Sequence, residues 1–153
     1  MFQPASQRLL LIACSQSKRP DPGLLPARAR YTGGAYQILN KAEREGVPLP
    51  QVLILSAEFG FLRPTDPIPD YDRRMTAQRV LEIESTLRAQ WTQIVVPMLA
   101  GITSTLVVMG YQYRSTLIRA DALLDLPGLV IAQGGLGTQR QQLTRWLRTS
   151  AGG

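Results

Sequence analysis

Residues with reactive side chains follow the first apolar run of the chain. The segment RLLLIACSQSKRP, Arg8 to Pro20, places Cys14, Ser15 and Lys18 directly after the run LLLIA. Neighbouring cations favour the thiolate form of a cysteine, so Cys14 is a candidate nucleophile, although an ordinary buried cysteine is the commoner case. Lys18 is a candidate for binding an anion or for stabilising charge that develops in a reaction. We therefore take Cys14 and Lys18 as candidate catalytic residues, and Ser15 as a candidate substrate contact.

A second group of reactive side chains follows the apolar run QVLILS. Glu58 comes just after this run and is placed to contact a substrate or to act as a catalytic general base. Ser56 is expected to orient a nucleobase or to transfer a proton, and Arg63 to hold a phosphate or carboxylate group. Tyr71 fits two roles equally well, because it could stack on a base or pin the loop to the core. We interpret three further charged residues that follow this run, Asp70, Arg73 and Arg74, as part of a salt-bridged surface.

Glycines open two predicted helices and could bind an anion. The segments QGGLGT, Gln133 to Thr138, and TGG, Thr32 to Gly34, each precede a helical pattern. Glycine lets a ligand approach the backbone closely, and the amides at the start of a helix attract negative charge. A plain flexible turn fits both segments as well. The candidate contacts with substrate are Thr32, Gly33, Gly34, Gly134 and Gly135, together with Gly110 after the third apolar run.

Short apolar runs and helical patterns alternate along the chain. Four runs predict strands, namely Arg8–Cys14, Gln51–Ser56, Ser104–Met109 and Leu129–Gln133. None of them alternates apolar with polar residues, so we expect a sheet that is covered on both faces. Helical patterns lie at Thr32–Gly46, Thr76–Met98, Gln112–Ala120 and Thr138–Thr149, and Pro97 should bend or end the second of them. This order predicts a single α/β domain with a mainly parallel central sheet of four or more strands flanked by helices, with the ligand at the strand ends.

Length and composition limit the classes of protein to which the chain can belong. With 153 residues, of which 44% are hydrophobic and 18% charged, the chain is expected to fold as one globular domain. It contains one cysteine and no histidine, which excludes an internal disulfide, a serine–histidine–aspartate triad and a histidine-ligated metal. We expect neither a cofactor nor a bound metal. The net charge of +6 favours a nucleotide, a nucleobase or nucleic acid as the partner, although basic charge can also serve solubility alone.

The opening residues also allow a different interpretation. The stretch LIAC has the form of a bacterial lipoprotein cleavage site, with Arg8 before it and Cys14 as the lipidated residue. A leader needs an apolar segment of roughly 7–15 residues, and the run before Cys14 is shorter, so we favour a buried strand. No apolar run approaches the ~20 residues of a membrane span, which predicts a cytoplasmic protein without a membrane partner. Residues 150–153 are expected to fray.

Two stretches in the first half of the chain resemble known families. The segment LSAEFGFLRPTDPIPDYDRRM, Leu55 to Met75, resembles the signature of the YaaA-type peroxide-stress proteins, which are reported to bind DNA. The segments ACSQSKRP and ARARYTGGAYQ are similar to a group of small uncharacterised proteins that carry a cysteine-and-lysine motif followed by Tyr-Thr-Gly. The positions that match the first signature are Ser56, Gly60, Leu62, Arg63, Pro64, Asp66, Ile68, Tyr71 and Met75.

The spacing of Cys14 and Lys18 is also similar to a motif in the catalytic domain of archaeosine synthase, which modifies a 7-deazaguanine base in tRNA. Ala13 stands where that motif has a proline, and the chain lacks the histidine with which the motif continues. Taken together, the resemblances imply a pocket for a nucleobase or nucleic acid at the first two strand ends. Tyr31, from the Tyr-Thr-Gly motif, is then among the candidate contacts.

These observations predict an enzyme that acts on a nucleotide or nucleobase, including a modified purine in nucleic acid, by glycosidic cleavage or group transfer. The alternative is a non-catalytic nucleic-acid-binding module related to the YaaA-type proteins, with arginines of the second loop and the last helix along the phosphates. A structural partner in a larger assembly is a third option, which would show as an exposed apolar patch at Trp91 or Trp146.

Overall fold

Two sheets organise residues 7–151, the part of the chain that the computed structural model describes. The larger sheet contains β1 (Arg8–Ala13), β3 (Gln51–Ser56), β4 (Gly60–Leu62), β6 (Ser104–Val108) and β7 (Leu129–Ile131), and the smaller one pairs β2 (Leu25–Pro26) with β5 (Pro67–Ile68). The strand order of the larger sheet is β4-β3-β1-β6-β7, so the first apolar run of the chain is its central strand. The prediction of a buried strand before Cys14 is confirmed.

Core residues cover both faces of the larger sheet. Strand β1 pairs in parallel with β3 and β6, and β6 pairs in parallel with β7, while β4 runs antiparallel to β3. Side chains alternate between the faces of a strand, so Leu9 and Leu11 belong to one core cluster and Leu10 and Ile12 to the other. All four are fully buried, which explains why the run shows no polar alternation. The predicted α/β fold with a mainly parallel sheet is therefore confirmed.

Helices connect the strands and pack on the sheet. They are α1 (Ala27–Arg30), α2 (Gly34–Arg44), α3 (Ala77–Gln90), α4 (Val96–Met98), α5 (Tyr111–Arg119) and α6 (Leu136–Ala151), with a π-helical segment at Trp91–Val95 and a 3₁₀ helix at Ala122–Asp125. The four predicted helices are present with shifted ends. At the end predicted to fray, α6 continues to Ala151, and Gly152 and Gly153 lie outside the described residues. Across residues 7–151, no helix combines the length and apolar character needed to cross a membrane.

The starts of α2 and α3 show how local sequence sets a helix end. Thr76 caps α3, because its side chain accepts a hydrogen bond of 3.1 Å from the Arg79 amide. The helical pattern in the sequence begins at Thr32, but the residue at the N-cap position of α2 is Gly33. The expectation for Pro97 is confirmed: the chain turns π-helical just before it and the helix ends at Met98. Proline lacks the N–H that an interior helical residue donates, which accounts for the break.

A buried arginine connects the two long loops of the chain, residues 15–31 and 57–75, to each other. The Arg30 guanidinium is fully buried and donates hydrogen bonds to four carbonyl oxygens in both loops, those of Arg19 (2.6 Å), Asp21 (3.0 Å), Gly23 (2.8 Å) and Ile68 (3.3 Å). Hydrogen bonds from a charged donor are roughly twice as strong as neutral ones, so these segments hold one conformation. The pairing of β2 with β5 joins the same loops. The sequence predicts plain loops here and misses β2, β4, β5 and α1, because such short elements carry no periodic pattern.

The two tryptophans pack against neighbouring side chains. The Trp91 and Phe61 ring centroids lie 5.7 Å apart, and the Arg8 guanidinium lies 4.8 Å from the centre of the Trp146 ring. Both tryptophans are partly buried and contact the core clusters. The exposed apolar patch expected of a structural partner therefore does not form at Trp91 or Trp146.

Candidate functional site

A cleft of about 650 Å³ opens where β1 and β6 end. Three helices begin at its wall, and the lining residues at or near their starts are Gly33, Gly34, Ala35 and Tyr36 of α2, Gly110 and Tyr113 of α5, and Leu136, Gln139 and Arg140 of α6. The N-terminal end of a helix carries partial positive charge. No acidic side chain is among the residues that line this cleft within the described part of the chain. The cleft is therefore suited to an anionic ligand.

Arg140 and Gly34 form the most positive part of this cleft. Among residues 7–151, the Arg140 guanidinium has neither an ion pair nor a hydrogen bond. It lies against the start of α2, and a Cβ atom at Gly34 would come within 2.2 Å of Arg140 Nε. Glycine at this position therefore makes room for the guanidinium beside the amides of α2. An unpaired cation at a helix N-terminus is a strong site for phosphate or carboxylate.

Gln139 offers the cleft a hydrogen-bond acceptor. Only 3% of the residue is exposed, and its Nε2 donates a hydrogen bond of 3.0 Å to the Gly134 carbonyl. Its Oε1 is buried and has no partner among the described residues. Buried polar atoms usually have a hydrogen-bond partner, so this oxygen is an unsatisfied acceptor on a residue that lines the cleft.

Cys14 and Tyr113 meet at the floor of the cleft. The Cys14 Sγ and Tyr113 Oη atoms lie 3.1 Å apart and share a hydrogen bond. The Cys14 amide donates to the Leu55 carbonyl, which fixes the residue to the sheet, while its thiol is partly exposed. Burial raises the pKa of Tyr113 well above its usual range, so the hydroxyl stays protonated and can donate to the sulfur. Cys14 thus sits where a ligand in the cleft reaches it.

Ser15 lines the cleft but its hydroxyl is engaged with the protein. Ser15 Oγ donates to the Ser17 carbonyl at 2.6 Å and accepts a hydrogen bond of 3.1 Å from the Gly33 amide. The serine therefore satisfies one of the free amides at the start of α2 from a distant part of the chain. Its main role in this arrangement is to hold the Cys14 loop against α2.

Three residues predicted to bind substrate form a buried hydroxyl network instead. The Tyr71 hydroxyl hydrogen-bonds with Tyr31 at 2.6 Å and with Ser56 at 2.9 Å, and Ser56 Oγ also accepts from the Glu58 and Phe59 amides at 3.1 Å each. None of the three lines the large cleft. Burial raises the pKa of Tyr31 to about 12, so its hydroxyl stays protonated at neutral pH. Of the two roles open to Tyr71, these contacts favour pinning the loop.

A smaller cleft of about 250 Å³ lies beside the large one. Cys14, Ser15, Gln16 and Tyr113 line both clefts, and the smaller one is completed by Lys18, Asp72, Arg73, Arg74 and Met75. Lys18 Nζ lies 4.5 Å from the centre of the Tyr71 ring and donates to the Gln16 carbonyl at 3.2 Å. The structure therefore brings Cys14 and Lys18 to one place, as the sequence predicts.

Other predicted site residues lie away from the large cleft. The Glu58 carboxylate is 3.4 Å from the Arg73 guanidinium, and Arg63 is paired with Asp66 at 3.6 Å on the surface. Thr32 lines a different surface groove. Gly134 and Gly135 form an exposed turn before α6, with Gly134 at a φ of 87°, and the α6 residues that reach the cleft come after them.

Several residues of the site carry no clear signal in the sequence. Tyr113 belongs to the segment GYQYRS after the third strand, and its place in the first turn of α5 could have indicated a contact at the strand ends. Arg140 and Gln139 look like ordinary helix-surface residues, because only the packing of α6 shows which of them face the cleft. Within residues 7–151, no group of three or more cysteine, aspartate and glutamate side chains is arranged to hold a metal ion.

Fold and site together define an α/β domain with a cleft and a cysteine at the carboxyl ends of its parallel strands. The chain belongs to a family of unknown function, DUF6884, whose model matches residues 9–147. This matched range includes every residue that lines the two clefts. No curated protein and no solved structure matches the chain.

Proposed function

We propose that the chain is an enzyme that acts on a nucleotide or nucleobase bound in the large cleft. One observation carries the proposal: within residues 7–151, three helix N-termini and the unpaired Arg140 meet in a cleft that has no acidic lining residue and that contains the Cys14 thiol. Helix N-termini and arginine are the groups that proteins use most often for phosphate. A volume of about 650 Å³ lies in the range of small-molecule sites and suits a nucleoside monophosphate.

The cleft offers a separate contact for each part of such a ligand. The phosphate would contact the Arg140 guanidinium, which lies against the start of α2 at Gly34. A planar base would pack on the apolar lining, which includes Val108, Met109 and Leu136. Gln139 Oε1 would accept a hydrogen bond from an N–H of the base. The resemblance to nucleobase-modifying and nucleic-acid-binding families supports the choice of a base over other apolar groups.

Cys14 is the nucleophile of this proposal, for glycosidic cleavage or group transfer. Tyr113 would donate its hydrogen bond to the sulfur and hold the thiol toward the ligand. Lys18 would stabilise negative charge on the far side of Cys14. Glu58 is not part of the proposed chemistry, because its carboxylate is paired with Arg73. A lone, partly exposed thiol also fits the reducing conditions of the cytoplasm.

Ligand binding and cysteine protection test the proposal together. Nucleosides, nucleoside 5′-monophosphates and 7-deazapurines are screened by thermal shift, because a ligand at 100 times its Kd adds about 2.7 kcal/mol to stability. A compound that binds in the large cleft should also slow the alkylation of Cys14 by iodoacetamide. Arg140→Gln should abolish both effects.

Arg44→Gln is the matched control, because Arg44 is exposed, is unpaired among the described residues and lies at the other end of α2, about 15 Å away along the helix. The proposal is wrong if no base-containing compound stabilises the protein. It is also wrong if Arg44→Gln weakens binding as much as Arg140→Gln does.

A nucleic-acid-binding module is the second candidate, and a groove along α6 favours it. Arg140, Arg145 and Arg148 line this groove of about 550 Å³, which shares Arg140 with the large cleft. Arg148 is bonded to Glu45, so it is the least available of the three. This candidate predicts that a fluorescent oligonucleotide binds more weakly as salt rises and that Cys14→Ala has no effect on the affinity. An enzyme acting on the cleft-bound ligand would instead lose turnover in Cys14→Ala.

A further inference from the structure

Cys14 faces two cavities, because it lines both the large cleft and the smaller one. Tyr113 and the segment Ser15 to Gln16 form the rest of the boundary between them. Hydrolysis of a bound nucleotide requires only water beside the reacting group. A second formed cavity next to the same thiol therefore needs an explanation of its own.

The smaller cleft has an excess of positive charge. Lys18, Arg73 and Arg74 line it, together with the single carboxylate of Asp72, which forms no ion pair with any of the three. Arg73 is shared between Glu58 and Glu82, at 3.4 and 3.3 Å. Arg74 has no ion pair or hydrogen bond among the described residues, and Lys18 Nζ bonds only to a carbonyl oxygen. Among the described residues, two cations (Lys18 and Arg74) and one carboxylate (Asp72) therefore have no ion pair at this cavity, which leaves an excess of one positive charge.

Lys18 is held in position by the aromatic network beneath it. Its ammonium lies 4.5 Å from the centre of the Tyr71 ring, and the Tyr71 hydroxyl is fixed by Tyr31 and Ser56. Burial raises the pKa of Tyr71 well above its usual range, so the phenol stays neutral and leaves the charge of Lys18 available to a ligand. A cation that is already ordered loses little entropy when it binds an anion.

We propose that the smaller cleft binds a small oxyanion, a carboxylate or a phosphate, as the second substrate of a group transfer. This inference rests on the proposed function, because it takes the large cleft as the site of the first substrate. The volume of about 250 Å³ is below that of most drug-sized sites, so the ligand is a small molecule or the anionic end of one. Lys18 and Arg74 bind the oxyanion, and a hydroxyl or amine group of the same molecule points toward Cys14. In the first step the Cys14 sulfur bonds to the reacting carbon of the first substrate as the bond from that carbon to the base breaks, and the thiol proton passes to the leaving base. In the second step the hydroxyl or amine bonds to this carbon as the carbon–sulfur bond breaks, and its proton returns to the sulfur. The arrangement thus favours group transfer over simple hydrolysis.

Protection of Cys14 from iodoacetamide by simple anions tests this site without knowledge of the natural substrate. Sodium phosphate and sodium acetate are compared with sodium chloride at constant ionic strength. At least one of the two oxyanions should slow alkylation of the wild type, and Arg74→Gln should weaken this effect about tenfold, as expected for loss of one charged hydrogen bond. Arg74 is exposed and unpaired in the described structure, so the substitution should leave the free energy of unfolding within about 0.5 kcal/mol.

Three further arms separate this site from the large cleft. Arg140→Gln should leave the protection by the oxyanion unchanged, and Arg44→Gln should do the same. When the large cleft is saturated with a nucleoside monophosphate, phosphate measured by isothermal titration calorimetry should still bind the wild type, and it should bind Arg74→Gln more weakly. The inference is overturned if neither oxyanion protects Cys14, if Arg140→Gln abolishes protection, if saturation with the nucleotide abolishes phosphate binding, or if Arg44→Gln acts like Arg74→Gln. If nucleotides fail to bind but protection still depends on Arg74, the proposed function is wrong and the oxyanion site is upheld.

Discussion

Gly34→Ala is expected to remove the anion site of the large cleft without weakening the fold. The added Cβ atom would lie 2.2 Å from Nε, 2.3 Å from Cζ and 2.8 Å from Nη2 of Arg140. Carbon atoms make ordinary contact at about 3.5–4.0 Å, so the guanidinium must retreat by about 1.3 Å or more. The atoms in conflict are the far end of an exposed, flexible side chain. The guanidinium therefore swings away from the start of α2 at little cost.

The expected loss is that of one charged hydrogen bond to the ligand, about 1.5–3 kcal/mol. This corresponds to a Kd raised about 10- to 150-fold for the nucleoside 5′-monophosphate that binds the wild type most tightly. The matching nucleoside lacks the phosphate, so its affinity should hardly change. Gly34 has no positive φ, and replacing such a glycine by alanine adds about 0.4–1 kcal/mol to stability. Titration calorimetry gives the Kd, and urea unfolding gives the stability.

Gly137→Ala provides the matched control, because Gly137 is also near a helix start but a Cβ atom there meets nothing within 4 Å. It should leave the Kd unchanged. The double variant Gly34→Ala with Arg140→Gln tests the cause. If the alanine acts through Arg140, the double variant binds no more weakly than Arg140→Gln alone. A further loss in the double variant would refute the reasoning and show that the methyl group acts on the cleft directly.

Three further predictions concern stability and use urea unfolding as the measurement. Arg30→Lys keeps the buried charge, but a lysine cannot donate to all four carbonyl oxygens. We therefore expect the free energy of unfolding to fall by about 2–3 kcal/mol. The control is Arg44→Lys at an exposed position, which should lower it by less than about 0.5 kcal/mol. Burial raises the pKa of Tyr31 to about 12 from about 10 in the unfolded chain, so the unfolded chain loses this proton first. The contribution of Tyr31 to stability should be constant below pH 10 and fall by about 3 kcal/mol toward pH 12, so Tyr31→Phe should lose less stability than the wild type over this range. Gln90→Ala should lower the free energy of unfolding by about 2 kcal/mol, because the Gln90 side chain accepts a hydrogen bond of 2.7 Å from the Phe61 amide and donates one of 2.9 Å to the Phe59 carbonyl. A decrease below about 0.5 kcal/mol would contradict this account.

The fold could be predicted wherever burial leaves a pattern in the sequence. Strand β1 is covered on both faces, so its apolar run has no polar interruption, and the stripe of Val80, Ile83 and Leu87 reports the buried face of α3. Strand β4 could not be predicted, since it has three residues and depends on distant contacts. Gly60 turns at a φ of 76°, and Gln90 from the end of α3 supplies the hydrogen bonds that hold β4 in place.

Only the site residues that directly follow a strand could be predicted from the sequence. Cys14 and Lys18 follow a strand directly, so the rule that ligands bind at the carboxyl ends of parallel strands finds them. Tyr113 meets Cys14 from a position 99 residues further along the chain, and a single sequence carries no information about that pair. The contribution of α6 depends on how Leu143 and Leu147 pack, which decides that Arg140 reaches Gly34.

The buried guanidinium of Arg30 also determines how the protein opens locally. Its four hydrogen bonds span both long loops, so neither loop can leave the surface without breaking contacts of the other. Segments joined in this way exchange their amide hydrogens as one cooperative unit. The amides of Arg19, Ala27 and Arg28, which bond to loop carbonyls, should therefore exchange together and faster than those of β1. Lys18 and Tyr71 lie on these loops, so the smaller cleft disappears in every such opening, and the large cleft loses the part of its wall that Ser15, Gln16 and Ser17 form.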